Sequence, residues 1–242
     1  MLAVTLMHAQ ARGDTILGTA QSFGVLGGST VTNTGPTVIT GDLGVWPGLA
    51  ITGFPPGIVI GGTTHAGDAV AQQAQSDVTM AYNAIAGMAP TQVLTGTDLG
   101  GLTLTPGVYF FASSAFLTGT LTLDAQGDPN AHFIFQMGST LITASNSSVV
   151  TINGASGCEV YWQVGSSATL GTDTTFQGNI LALASITLNT GADIVGGSAL
   201  ARTGAVTLDS NTITAPVCVP APPAAFLGLL GLAGIAGRRR KL

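Results

Sequence analysis

The side chains from which a metal site, a general acid or an activated nucleophile could be built are few: three histidines (His8, His65, His132), two cysteines (Cys158, Cys218) and eleven acids in 242 residues. No His-x-x-x-His, Gly-x-Ser-x-Gly or His/Cys cluster gathers them. The cysteines are not in Cys-x-x-Cys spacing, and in an oxidising compartment such a pair is more often a disulfide than a metal site. A Cys158–Cys218 bridge is therefore the expectation. The one acid-rich stretch, Asp124-Ala-Gln-Gly-Asp128-Pro-Asn130, offers few of the six to eight oxygens that calcium takes, and reads as a turn between strands. The Gly24-x-x-Gly27-Gly28-Ser29 run lacks the lysine and the strand-to-helix context of a phosphate loop and also reads as a turn. Neither a cofactor nor an enzyme is expected.

Charge narrows the partners further. Four of the six basic residues stand at 238–241, so residues 12–237 hold Arg12 and Arg202 against eleven acids, a formal charge of −9. Phosphate backbones are bound by clustered Lys and Arg, so nucleic acid is excluded as a partner. A lyase acting on acidic sugars would likewise want basic groups beside its catalytic base. With 35 glycines, 45% hydrophobic and only 7% charged residues, the surface left over is Thr, Ser, Ala and Gly, suited to something uncharged.

The elements that would carry such a surface show in a repeat. A threonine followed by leucine recurs at Thr103, Thr122, Thr140, Thr169, Thr187 and Thr207, in steps of 19, 18, 29, 18 and 20 residues. A period near 20 with short β-branched segments between Gly, Ser and Asn is the mark of a solenoid in which each turn of chain stacks on the last. The segments alternate: in Thr120-Leu121-Thr122-Leu123-Asp124 the leucines share one face and Thr120, Thr122 and Asp124 the other. The expectation is a mainly β chain, a right-handed parallel β-helix with leucines inside and one external threonine ladder. Large apolar segments precede the Thr-Leu pairs and shrink from Val108-Tyr-Phe-Phe through Val160-Tyr-Trp-Gln to Ser198-Ala-Leu-Ala, as a tapering core requires. The 29-residue step places about ten extra residues near 153–158, at a corner. Residues 17–62 are shorter, less regular strands suited to one end of the stack.

One long α-helix is expected at 66–86, where Val70, Ala74, Val78, Ala81 and Ile85 form an apolar stripe and Gly87 with Pro90 stops it. It is long enough to lie along the whole stack. Residues 1–11 end in Ala9-Gln-Ala and read as part of a secretory signal, so 12–217 is the folded domain of a protein acting outside the cell or at its surface. After Cys218 come Pro220-Ala-Pro-Pro, fourteen uncharged residues, too few to span a bilayer as a helix, and a basic end. That 218–242 tail resembles the bacterial sorting signals named for Pro-Glu-Pro, here without the Glu, and points to membrane association through the tail.

Several ordered motifs carry a wider resemblance: Leu17-Gly-Thr-Ala-Gln-Ser-Phe-Gly-Val-Leu, the segment from Ser29 to Val45, Ala81-Tyr-Asn, Leu104-Thr-Pro-Gly-Val-Tyr, Phe133-Ile-Phe-Gln, Val160-Tyr-Trp-Gln-Val-Gly and Gly204-Ala-Val-Thr-Leu. Together, over residues 17–216, they resemble the microbial ice-binding family. The resemblance implies a discontinuous β-helix with a lateral α-helix, a monomer, and the ice crystal surface as partner, met through one flat face. The outward positions offered for that face are Thr30, Thr32, Thr120, Thr122, Asp124, Thr140, Ile142, Ala144, Thr169, Gly171, Thr187, Asn189, Thr207 and Asp209. The alternative is a surface adhesin or structural solenoid built on the same scaffold.

Overall fold

The computed structural model describes residues 16–216 and Cys218. The expected signal segment and the tail beyond Cys218 lie outside the described residues. Among the described residues the regular elements are one α-helix, two short 3-10 turns and strands of two to five residues. These assemble into three sheets of nine, seven and eight strands, called A, B and C, in which all recorded pairings are parallel. Successive turns contribute one strand to A, then B, then C, as in Val160–Val164, Ala168–Leu170 and Thr175–Gln177, except that the turn beginning at Gln92–Val93 reaches sheet B only through an isolated bridge at Asp98. The result is a three-sided solenoid.

Strand alternation explains why the sides close on one core. In Ile186–Leu188, Ala168–Leu170 and Leu141–Thr143 the two flanking residues are buried and the central one faces out. Period-2 geometry puts the flanking side chains of successive rungs into one column inside. On sheet A the inner column runs Tyr109, Phe135, Trp162, Ile180, Ala199, each paired with the next. Tyr109, Phe135 and Trp162 stack as rings, with centroids 5.3 and 3.9 Å apart, and the column then narrows to Ala199. The taper expected from the sequence is this column. Its pairs lie 26, 27, 18 and 19 residues apart along the chain, so two turns carry long corners, at 125–132 and 153–159, where the sequence indicated only the second.

The stack is discontinuous. Val25 and Leu26 pair with Ala199 and Leu200, so the first turn, starting at Phe23–Gly27, lies on the last. A second turn, from Asp42–Val45 to Ile58–Ile60, and the strand Thr64–Ala66 continue that end. Helix α1 (Ala69–Ala86) then carries the chain back along sheet A to the other end. Its 18 residues make a rod of roughly 27 Å, about the height of the six strand spacings in sheet B.

The helix begins three residues later than expected, because Thr64–Ala66 pairs with Leu43, Gly44 and Val45 instead. Asp68 is the N-cap, its carboxylate accepting from the N–H groups of Val70 and Ala71. Val70 is half exposed, and Ala71 takes its place in the buried stripe with Ala74, Val78, Ala81 and Ile85. These cover Leu26, Ile134, Tyr161, Leu181 and Leu200 on the outer side of sheet A. At the helix end, Gln136 donates from Nε2 to the carbonyls of Ile85 (2.6 Å) and Met88 (2.9 Å), which ties the last turn and the residues after it to sheet A. Sheet A is thus apolar on both faces. Among the described residues no α-helix lies against sheet B or sheet C.

Candidate functional site

Sheet B presents a column of outward residues, one from each strand. From rung to rung these pair as Phe116, Ile142, Thr169, Thr187, Thr207, Thr32 and Thr52. Five successive rungs therefore carry threonine in register. Thr30 and Thr140 stand one pleat before this column, and Ala144, Gly171, Asn189 and Asp209 one pleat after it. The hydroxyls meet across rungs: Thr140 Oγ1 donates to Ser114 Oγ at 2.8 Å, while Thr32 and Thr207 hydroxyls lie 3.5 Å apart. Gly171 is recessed, since a Cβ there would come within 2.7 Å of the Thr143 carbonyl oxygen on the rung beside it. Asp209 is not a free group, because its carboxylate accepts from the Thr190 and Ser210 hydroxyls at the B/C corner.

Thr120, Thr122 and Asp124 are elsewhere. Their strand Thr120–Asp124 belongs to sheet C, paired with Thr103–Leu104 and Ser148–Ile152. The single ladder inferred from Thr-Leu pairs is thus two ladders on two sides of the solenoid. A Thr-Leu step records only that one residue faces out and the next in, and it fits any uncovered sheet. The 18-residue step from Thr122 to Thr140 passes from sheet C of one turn to sheet B of the next. In the opposite sense, Thr52, Thr34 and Ser114 belong with sheet B and carry no Thr-Leu mark. Their only signal is out-in-out alternation, as in Ala50-Ile51-Thr52.

Sheet C lacks comparable uniformity. Its outward positions include Gln177 opposite Val195, Thr175 opposite Asp193 and Val38 opposite Ile58, and Val150, Ile152, Val195, Ile58 and Ile60 are exposed. The chemistry changes from rung to rung. On sheet B it holds constant over five.

The ionisable groups do not converge on sheet B. His65 Nδ1 lies 2.8 Å from Asp68 beside the helix start, and His132 Nδ1 2.9 Å from Glu159 at the C/A corner. The hydrogen bond to Glu159 raises the His132 pKa against the opposing effect of burial. Among the described residues no group of three His, Cys, Asp or Glu could hold a metal ion. Arg202, the only Lys or Arg among them, lies with its guanidinium 4.4 Å from the Tyr82 ring centroid, between helix and solenoid.

These features define a class: a discontinuous three-sided β-solenoid, one side sealed by a helix and another presenting an in-register column of threonines. Residues 25–214 match the family model described as ice-binding-like, and the chain belongs to that family. It is 64% identical over 207 residues to the ice-binding protein of Nostoc sp. (strain HG1), covering 86% of this chain and 76% of that protein. Among solved structures, an ice binding protein from an Antarctic biological consortium superposes with a TM-score of 0.79 at 50% identity, over 82% of this chain and 89% of that one. The ice-binding protein of the Antarctic ascomycete Antarctomyces psychrotrophicus gives 0.80 at 45% identity, over 84% and 98%.

Proposed function

We propose that this protein binds ice through sheet B and so restrains ice growth and recrystallisation, acting outside the cell or at its surface. The observation that carries the reading is the run Thr169, Thr187, Thr207, Thr32 and Thr52, in register on an uncovered sheet. Rungs repeat at roughly 4.8 Å, and outward residues along one strand at roughly 6.6 Å, which makes a two-dimensional grid. Threonine is stiff at χ1, so the grid is ordered before ice arrives. Each methyl disfavours tightly held water while each hydroxyl anchors one, and water so arranged can join a lattice plane. Many weak contacts on one rigid face then make detachment rare. The family relationship supports the same reading, since the relatives named above are ice-binding proteins.

Thr187 sits mid-column between Thr169 and Thr207. A tyrosine there should hold the face off a flat lattice and abolish most thermal hysteresis. Stability should change by no more than about 0.5 kcal/mol, as is usual for outward-facing positions. The matching control is Ser76→Tyr on the exposed side of α1. Thr79, which the sequence would put on that side, is half-buried and lies 3.4 Å from Arg202 Nε, so it serves less well. Loss of hysteresis at both positions, or at neither, would overturn the assignment to sheet B.

A further inference from the structure

The threonine column does not run the length of sheet B. At the end near residue 98 its last two rungs are Ile142 and Phe116, 38% and 48% exposed. Beyond Phe116 stands Asp98, whose carboxylate is taken up by the N–H groups of Gly100 and Thr118 and by the Thr118 hydroxyl. These two rungs are otherwise like the rest. Ala115 and Leu117 are buried beneath Phe116, and Leu141 and Thr143 beneath Ile142, while Ser114 and Thr140 keep hydroxyls at their edge. At the central outward position, however, neither side chain can anchor a water. Phe116 also carries a ring that reaches further from the sheet than a threonine side chain.

We infer that Phe116 and Ile142 set the end of the ice contact and hold the activity below what the scaffold allows. The inference rests on sheet B being the ice face. At a rung spacing of roughly 4.8 Å, five threonines span roughly 19 Å, and seven would span roughly 29 Å. The double variant Phe116→Thr/Ile142→Thr completes the column without touching an inward residue.

The test measures thermal hysteresis and ice recrystallisation inhibition of the folded protein at matched concentrations. The wild type, Ile142→Thr, the double variant and Thr187→Tyr are compared, with melting temperature as the check on folding. A rise of about 1.5-fold in hysteresis, in proportion to the longer ladder, is expected for the double variant. Unchanged or reduced hysteresis in a folded double variant would overturn the inference, a reduction meaning that the apolar rungs themselves touch ice. If the double variant does not fold, Ile142→Thr, a smaller change at an outward-facing position that keeps the β-branch, decides alone by a gain or none. Activity retained in Thr187→Tyr removes the sheet B reading itself, whereas its loss there with no gain in the double variant removes only the present inference.

Discussion

Asp77 shows how much one side chain can organise in a chain with so few charges. It lies in the third turn of α1 and is nearly buried, and its Oδ2 accepts from the backbone N–H and the hydroxyl of Thr19, at 2.7 and 2.6 Å. Gln73 donates to its other oxygen at 2.9 Å. Burial alone would raise its pKa, but the three hydrogen bonds outweigh it and the net shift is downward. A carboxylate with a depressed folded pKa adds stability above its unfolded value, near 3.9, and loses it as pH falls through the folded one. Asp77→Asn should therefore cost about 1–3 kcal/mol at neutral pH. The wild-type and variant melting temperatures should draw together as the pH is taken below the ordinary carboxylate range, where the Asp77 carboxylate takes up its proton. A gap that stays constant over that descent would mean shape, not charge, holds the contact. Nothing in the sequence marks this role, because Thr19 and Asp77 meet only after the helix has docked. The outward positions of sheet B were more legible, since alternation is local. Alternation did not say which of two open sheets a threonine joins, and Thr120 and Thr122 went astray for that reason.

Among the elements, the helix was the easiest to read, because its 3.6-residue stripe is a local property. Its start was displaced because strand pairing at Thr64–Ala66 overrides the helical pattern. The 153–159 insertion is an element whose purpose depends on the fold. Its 3-10 turn Gly157–Glu159 packs against the corner at Gly196, where a Cβ on Gly157 would meet the Gly196 carbonyl oxygen. Cys158 within it is bonded to Cys218, which follows the last strand, Thr212–Thr214. Asn179 Nδ2 lies 3.2 to 3.4 Å from the carbonyls of Gly157, Cys158 and Val160, fixing the same corner from beneath. The bond closes a 60-residue loop over the turns between them. On chain-entropy grounds its removal by Cys158→Ser/Cys218→Ser should destabilise by about 2–4 kcal/mol. That corner joins sheet C to sheet A and not to sheet B, so hysteresis measured well below the melting temperature should persist. Two free thiols in peptide maps of the non-reduced protein would contradict the bond.

For the molecule as a whole, the turns were legible and their order was not. Each turn's alternation says that it can stack on another, but the pairing of Val25 with Ala199 joins residues 174 apart, and no local pattern encodes it. The taper from Trp162 to Ala199 suggested a narrow end, yet Ala199 is interior, because the first two turns continue the stack beyond it. The three-sided cross-section has a further consequence. Chain passes from A to B to C and back to A, so the C/A corner is the one opposite sheet B. Cys218 is tied to that corner through Cys158. Cargo joined after Cys218 should therefore hang away from the threonine face, and a folded domain fused there should leave hysteresis at least at the unfused level. The same domain inserted at Thr190-Gly191, on the B/C corner beside Asn189 and Asp209, stands at the rim of the face and should remove most activity. Measuring both fusions at equal molar concentration checks the geometry, and strong loss in the C-terminal fusion would place the working face next to the C/A corner instead.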